Sequence, residues 1–317
     1  MKVTDFIKNQ KKPFYSLEIT PPLKIKSIQQ IFNVIDRIKP YDPKFINITY
    51  HQQAVSMEEV DGIPTKVVYQ KHASTVGVCS AIKYRYNIEV VPHFICGGFN
   101  KIDTEDALFD LMFLGIENIL ALRGDPRKGV DYFMPEPHGH SNASELVKQI
   151  KAMNESHYLH TLCPEQPIDF CVGVAGYPEK HHEAENMDDD IAFLKQKVEN
   201  GADYIVTQMF CDFDLFVQWE KKCREAGITV PIIPGLKPIT KKKHVRRFAQ
   251  NFHLHMPDEL ITAMDNTETV NEAYEVGVNF MAGLCKKLIN YGVPGIHFFT
   301  MGNGEDVADV LKVLENK

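Results

Sequence analysis

The sequence predicts an α/β protein of the (β/α)8 TIM barrel class. Short β-rich runs alternate with longer helical patterns along all 317 residues, which is a length that one barrel can fill. Several of these runs are almost continuously apolar, as expected for parallel strands covered on both faces. We therefore expect residues 1–317 to form a single catalytic barrel domain. The eight expected strands are 14–20, 45–50, 89–94, 118–122, 169–175, 204–208, 231–234 and 296–300.

The helical segments follow from apolar residues at helical spacing and from residues that end helices. In 27–38, for example, isoleucine and phenylalanine recur on one side, and Gly201 and Gly227 stand where two helices should end. Asp103 is expected to cap the helix that begins at 104. The segment 271–291 is an extra helix before the last strand. The expected helices are 27–38, 104–114, 144–153, 190–200, 215–226, 241–251, 271–291 and 305–314.

A doubly wound sheet is the rival architecture. It predicts a glycine-rich turn after the first strand, whereas here that strand ends in Thr20-Pro21-Pro22 and no GxGxxG occurs. Two long connections, 126–141 and 154–167, interrupt the alternation, and loops of this length in a compact domain are commonly functional.

Composition excludes several classes of protein. The hydrophobic share is 44% and the charged share 24%, which is typical of a globular protein, and the net charge of −7 argues against a nucleic-acid partner. No apolar run approaches the length of a membrane span, and the first residues lack a signal peptide, so no membrane partner is expected. Seven scattered cysteines without a CxxC favour reduced thiols and a cytoplasmic location.

Polar residues collect where the expected strands end, which is where barrel enzymes place their chemistry. Glu18, His93 and Gln208 mark three of these ends, Thr49-Tyr50 a fourth and Arg123-Gly124-Asp125 a fifth. Glu18 lies among apolar residues, so it either pairs with a buried cation or keeps a raised pKa as a functional acid. His93 is equally consistent with a hydrogen-bonded core histidine.

Other charged and metal-binding patterns favour simpler interpretations. Asp190 and Lys197 are two helical turns apart, a spacing typical of a solvated charged face. His138 and His140 lie in a loop rich in proline and glycine, and no cysteine or acid stands at zinc-site spacing, so we expect no metal. Lys237 follows the seventh strand, where an anionic ligand is a better expectation than a Schiff base.

Eight segments, in order over nearly the whole chain, resemble methylenetetrahydrofolate reductases, a family of FAD-dependent barrel enzymes of one-carbon metabolism. ALRGD, and YPE followed by GAD and TQ, are specific only in combination. The matching segments are SLEITPP (16–22), FINITY (45–50), PHFIC (92–96), ILALRGDP (119–126), AGYPEKHHEA (175–184), LKQKVENGADYIVTQMFCD (194–212), IIPGLKPI (232–239) and HFFT (297–300).

The resemblance implies roles for individual residues. Glu18 would be the general acid that opens the five-membered ring of methylenetetrahydrofolate, and Asp125 would lie beside the flavin and favour a cationic folate intermediate. The folate would contact Glu18, Thr49, Gln208 and Phe248. FAD would be held by Thr49, Tyr50, His93, Arg123, Gly124, Asp125, Ala175, Tyr177, His181, Ala184, Asp190 and Lys197.

The implied reaction is ping-pong hydride transfer from NADH or NADPH through FAD to the folate, supplying methyl groups for methionine synthesis. A homo-oligomer is implied as well. A flavin barrel acting on another substrate, such as a proline-dehydrogenase-like enzyme, and a cofactor-free barrel lyase or binding protein remain alternatives.

The chain also departs from the family pattern. Some members have an arginine after the last strand, whereas this chain has Thr300-Met301-Gly302-Asn303 there. The segment 241–244 is more basic than in the family. Phe193 and Gln196 occupy two helix positions that contact the flavin in some relatives. No regulatory domain of the animal type is expected, and hence no inhibition by adenosylmethionine.

Overall fold

A computed structural model describes residues 1–9, 11–127, 130–159 and 168–315 of the chain. Cys163 and the part of the expected loop at 160–167 lie outside the described residues. The strands in these ranges are β1 (Phe14–Ile19), β2 (Phe45–Ile48), β3 (Ala54–Val60), β4 (Ile63–Tyr69), β5 (Glu89–Ile95), β6 (Asn118–Leu122), β7 (Cys171–Gly176), β8 (Tyr204–Met209), β9 (Ile232–Leu236) and β10 (Gly295–Phe299).

The predicted barrel is confirmed. Eight of the described strands are parallel and close in the order β1-β10-β9-β8-β7-β6-β5-β2, and they correspond to the eight expected runs. The helices in the described ranges are α1 (Val3–Asn9), α2 (Gln29–Ile38), α3 (Thr75–Tyr86), α4 (Lys101–Phe113), α5 (Ala143–Asn154), α6 (Met187–Glu199), α7 (Phe213–Glu225), α8 (Lys242–Phe252), α9 (Asp258–Asp265), α10 (Val270–Tyr291) and α11 (Glu305–Leu314). The extra helix before the last strand is therefore α10.

The inside of the barrel is apolar at its amino end. Phe14, Phe45, Val91 and Tyr204 belong to one buried cluster there, against which α1 packs Val3 and Phe6. Gly173 of β7 makes room for the Tyr204 ring, since a Cβ at position 173 would lie 2.4 Å from that ring. Because α1 and these rings fill the amino end, the carboxyl end is the place where the barrel can present a site.

A larger apolar layer lies between the outer faces of the strands and the helices. In α2, Ile31, Phe32, Ile35 and Ile38 are all buried, which confirms the helical spacing seen in the sequence. The cap of α4 differs from expectation. Asn100 is the N-cap, and Asp103 completes a capping box with it, because the helix begins one turn earlier than predicted.

The connection from β2 to the barrel helix α3 carries an element that the alternation did not predict. Strands β3 and β4 form an antiparallel hairpin joined by Asp61 and Gly62, both with positive φ. A two-residue Asp-Gly turn of this kind is the favoured hairpin connection. The hairpin leaves the carboxyl end of β2, and Gln70, just after it, donates a hydrogen bond to the His51 carbonyl oxygen at 2.8 Å. It therefore rises from the rim of the barrel mouth.

Candidate active site

Polar side chains replace apolar ones inside the barrel toward its carboxyl end. Along β1, Phe14 belongs to the inner apolar cluster, Ser16 is buried and hydrogen-bonded, and Glu18 lies two residues nearer the mouth. Side chains two apart on a strand share a face, so Glu18 points the same way as Phe14. The general acid implied by the resemblance therefore lies on the inner face of the barrel.

Glu18 is sheltered from water and has no cation beside it. Its side chain is 17% exposed. The ionisable group beside it is His93 of β5, whose Nε2 lies 3.4 Å from Glu18 Oε2. Burial raises the pKa of Glu18 to about 8 and lowers the pKa of His93 to about 3. Near neutral pH the pair is a protonated acid beside a neutral imidazole. In the described ranges no lysine or arginine pairs with Glu18, so the buried-cation interpretation is wrong.

A buried polar layer lies directly under this pair. Asn47 Nδ2 is 3.4 Å from His93 Nε2, and Ser16 Oγ is 2.9 Å from His297 Nδ1. Burial lowers the pKa of His297 to about 3, so this ring is also neutral. His297 was not predicted as a site residue, although a histidine among the apolar residues of a strand is a visible signal in the sequence.

A cavity opens at the rim on the outer side of β1, where Ile19 and not Glu18 lines it. It has a volume of about 350 Å³ and lies between the ends of β1 and β10 and the helix α2. Thr300 joins the two strand ends by donating a hydrogen bond from Oγ1 to the Glu18 carbonyl oxygen at 2.8 Å.

Asp125 lies in a different setting, on the exposed loop that follows β6. Its carbonyl oxygen accepts a hydrogen bond from Gln52 Nε2 at 2.8 Å. Gly124 has φ +86°, and a Cβ there would lie 3.1 Å from Ile95, so the tight turn requires glycine. Gln52 Oε1 is buried without a hydrogen-bond partner in the described structure. The sequence reasoning missed Gln52, although it comes just after Thr49-Tyr50 in the loop that leaves β2.

Arg123, at the end of β6, is already paired with a carboxylate of the protein. Both guanidinium ends bind Glu183 from the loop after β7, with Nη2 2.7 Å from Oε1. The guanidinium also lies 5.2 Å from the ring centre of Phe133. The Glu183 backbone amide donates a hydrogen bond to His181 Nδ1 at 3.2 Å, so Glu183 contacts two of the predicted cofactor residues, one through its carboxylate and one through its backbone. The sequence reasoning did not identify Glu183.

Asp190 and Lys197 do not form a solvated face, and that expectation is wrong. Asp190 is 7% exposed, and Lys197 reaches inward to donate to the Ala175 carbonyl oxygen at 2.6 Å. Burial lowers the pKa of Lys197 to about 8, with the charge of Asp190 acting against that shift. The first turn of α6 lies against the barrel mouth, so both groups face the loop after β7 rather than water.

The remaining predicted cofactor residues lie on the same side of the mouth. Thr49 Oγ1 is 3.1 Å from His51 Nε2, and the Tyr50 ring lies 5.5 Å from Phe99. Tyr177 contacts His181 edge to face at 4.7 Å, and Ala184 is buried in the same loop. The ends of β2, β5, β6 and β7 therefore bring these residues together.

The predicted folate residues occupy less open positions. Gln208, at the end of β8, accepts a hydrogen bond from the Met209 amide at Oε1, 2.9 Å away. Phe248 of α8 is only 6% exposed, and His244 stacks on it with ring centres 5.1 Å apart. A ligand that stacks on Phe248 must therefore displace His244 or turn the ring.

Lys237 does not stand free for a ligand. It is 5% exposed and forms an ion pair with Asp306 of α11, so an internal carboxylate meets its charge. Within the described ranges no three histidine, cysteine, aspartate or glutamate side chains are grouped to hold a metal ion.

The donor set on the β6–β7 side fits a flavin dinucleotide. Arg123 and Lys197 supply cations near two strand ends for a diphosphate, and Asp190 suits a ribose hydroxyl. The unpartnered Gln52 Oε1 offers a buried acceptor beside the Asp125 loop. Fold and site together thus define a barrel with a sheltered acid facing a polar rim that suits an anionic cofactor.

Comparison with known proteins places the chain in a family. The family model for methylenetetrahydrofolate reductase matches residues 2–315, so the chain belongs to that family. It is 34% identical to methylenetetrahydrofolate reductase 1 of Schizosaccharomyces pombe over 99% of this chain and 48% of that protein. It is 30% identical to 5,10-methylenetetrahydrofolate reductase of Escherichia coli over 92% of this chain and 86% of that protein.

The chain spans about half the length of several of the curated relatives it matches, including the S. pombe protein. Among solved structures, a protein from Clostridium thermocellum described as binding two copies of 5-methyl-5,6,7,8-tetrahydrofolic acid has a TM-score of 0.59 at 16% identity. The match covers 99% of this chain and 98% of that one, and at this identity it supports the barrel fold alone.

Proposed function

We propose that this chain catalyses the FAD-dependent reduction of 5,10-methylenetetrahydrofolate to 5-methyltetrahydrofolate, with NADH or NADPH as the hydride donor. The observation that carries the proposal is the Glu18 side chain at the barrel mouth, 17% exposed and beside His93, in a chain of this family. Opening the ring of the methylene-folate requires a proton, and a carboxyl with a pKa of about 8 holds one at neutral pH.

The residues of the chain divide the work. Glu18 donates the proton, and the neutral His93, which the buried Asn47 contacts in turn, holds its carboxyl in place. Gln208 orients the folate, and the carboxylate of Asp125 stabilises positive charge that develops on it. FAD, when bound, supplies the hydride chemistry. Arg123 and Lys197 bind its diphosphate, which requires Arg123 to release or share Glu183.

We also propose that residues 1–317 act as one catalytic unit, as a homo-oligomer in the cytoplasm, and that the product supplies methyl groups for methionine synthesis. The six described cysteines carry free, buried thiols, which suits a reducing compartment. No helix in the described ranges is long and apolar enough to cross a membrane.

An anaerobic half-reaction titration tests the proposal. We expect protein loaded with FAD to be yellow, to bleach when NADH or NADPH is added, and to regain its colour when methylenetetrahydrofolate follows. Protein that does not take up FAD would exclude every flavin-dependent function. Bleaching by proline but not by either nucleotide would instead favour a proline-dehydrogenase-like enzyme.

A further inference from the structure

The β3–β4 hairpin presents apolar side chains to water. Six of its residues are large, apolar and exposed: Val55, Met57, Val60, Ile63, Val68 and Tyr69. Met57 is 67% exposed and Ile63 is 65% exposed. None of the six packs into an apolar cluster of the described structure. Apolar side chains grouped in this way on a protein surface mark an interaction site.

The outer edges of the hairpin have no strand beside them. In the described ranges β3 and β4 pair with each other alone, from Ala54 opposite Tyr69 to Val60 opposite Ile63. A two-stranded hairpin is marginally stable at best in water, and further strands stabilise it. Pro64 of β4 has no N–H to donate, whereas β3 contains no proline. The edge that can accept another strand is therefore that of β3.

Charge is divided along the length of the hairpin. We call three acids at its far end the hairpin tip: Glu58, Glu59 and Asp61. We call three cations where it leaves the barrel the hairpin base: Lys24, Lys26 and Lys71. The loop after β1 belongs to the base because the Lys24 amide donates a hydrogen bond to the Lys71 carbonyl oxygen at 2.9 Å. All six charged side chains are exposed, and within the part of the chain that the structure describes none of them forms an ion pair.

Both ends of the hairpin also carry apolar surface. At the base, Leu23 forms a β-bridge with His72, and the nearby Ile25 is 85% exposed. At the tip, Val60 and Ile63 face each other across the turn. Each end thus combines exposed apolar side chains with charge of one sign, and the two signs are opposite.

The tip and the base of one chain are too far apart to meet. The seven residues of β3 separate them, which at about 3.3 Å per residue is about 23 Å. In two hairpins that lie antiparallel across a two-fold axis, however, each tip falls on the base of the other. Such a contact is isologous, because the same surface of both subunits forms it. Lys66, the cation of the hairpin itself, lies midway along β4 and so belongs to neither end.

We propose that the β3–β4 hairpin binds the same hairpin of a second copy of this chain, with the two β3 strands antiparallel and each hairpin tip on the hairpin base of the other copy. The pairing completes a four-stranded sheet and sets three acids against three cations at each of two contacts. The inference rests on the homo-oligomer of the proposed function, to which it adds a surface, and not on the proposed reaction. Because the hairpin base borders the barrel mouth, the interface lies at the rim of both candidate active sites.

Charge reversal tests the contact between tip and base. The tip variant is Glu58→Lys/Glu59→Lys, the base variant is Lys24→Glu/Lys26→Glu, and sedimentation velocity measures the mass and the Kd of each. We expect the wild type to be dimeric and each variant alone to have a Kd about 100-fold higher, because like charges then face each other at both contacts. An equimolar mixture of the two variants should regain the dimer, since each reversed end then meets an end of opposite charge.

The matched control is Asp106→Lys/Asp110→Lys. It makes the same change in net charge as the tip variant, on exposed positions of α4, and should leave the dimer intact. Added salt should weaken the wild-type dimer and strengthen the self-association of each variant. Because every substituted side chain is exposed, we expect all variants to unfold in denaturant at the same midpoint as the wild type. The base variant tests the same contact independently of the tip variant.

Each other result overturns the inference. A monomeric wild type would leave the hairpin to a ligand or to another protein, and it would remove the proposed homo-oligomer while leaving the proposed reaction intact. A dimer that neither variant weakens would place the interface elsewhere on the chain. Two monomeric variants that do not combine would show that tip and base do not meet. An equal loss in the α4 control would mean a general effect of net charge.

Discussion

Two acidic residues at the barrel mouth, Glu18 and Asp125, occupy opposite environments. Glu18 lies on the inner face of β1, 17% exposed, beside the neutral His93. Asp125 lies on the loop after β6, exposed, with only its backbone held by Gln52. The strand encloses one carboxyl among uncharged groups, while the loop leaves the other in water.

The proposed function gives these two carboxyl groups different tasks, and their surroundings suit each task. An enclosed carboxyl keeps its proton because desolvation penalises the charge, so it can act as an acid. A carboxylate in water keeps its charge at little cost, so it can stabilise a cation, but solvent weakens its field. We therefore expect large effects from changes at Glu18 and smaller ones at Asp125.

The largest expected effect is that of Glu18→Gln on the folate half-reaction. The amide keeps the shape of the carboxyl but cannot supply a proton of the required acidity, so folate reduction should slow by about 10²–10⁴-fold. Reduction of the flavin by NADH needs no such proton and should stay within about twofold of wild type. Rapid-mixing absorbance of the two half-reactions, measured separately, gives both rates.

If both half-reactions slow alike, Glu18 is not the acid. The wild-type pH profile provides an independent control. The acid form of Glu18 is lost as pH rises through about 8, so wild-type folate reduction should fall above that pH, and the residual rate of the variant should lack this limb.

A second effect of the same substitution is on stability. The pKa of Glu18 is raised from 4.5 to about 8 on folding, so the folded state holds a proton that the unfolded state releases between these pH values. This group therefore destabilises the wild type increasingly as pH rises from 4.5 to 8, by at most about 1.4 kcal/mol per pH unit. Denaturant unfolding at pH 5 and pH 8 should show Glu18→Gln gaining stability over wild type at the higher pH. A difference that is independent of pH would contradict the raised pKa.

The sequence predicted the barrel well because alternation and apolar runs are local signals. It missed the β3–β4 hairpin, although Asp61-Gly62 between two β-rich runs is a hairpin signal. The hairpin interrupts an otherwise regular alternation of strands and helices, so that pattern does not predict it. It also missed α1, whose Val3 and Phe6 pack against the barrel interior, since a helix this short carries little periodicity.

For the site, the sequence identified residues but not their pairing. The burial of Asp190 and Lys197 depends on how α6 packs against the mouth, which spacing alone cannot show. Likewise, Arg123 and Glu183 lie sixty positions apart and meet only because β6 and β7 are neighbours in the barrel. Glu18 was identifiable because an acid within an apolar strand is a local anomaly.

The smallest expected effect is that of Asp125→Asn, and it sharpens the comparison because it should act on both half-reactions. If Asp125 lies beside the flavin, removing its charge should raise the flavin potential, and an exposed charge at about 4 Å contributes only about 1 kcal/mol in water. That corresponds to about 20 mV for a two-electron couple and to rate changes of about fivefold in each half. A spectroelectrochemical titration, together with the two half-reaction rates, measures this. An unchanged potential would place Asp125 away from the flavin, whereas a loss as large as that in Glu18→Gln would mean that the bound cofactor shields this loop from water.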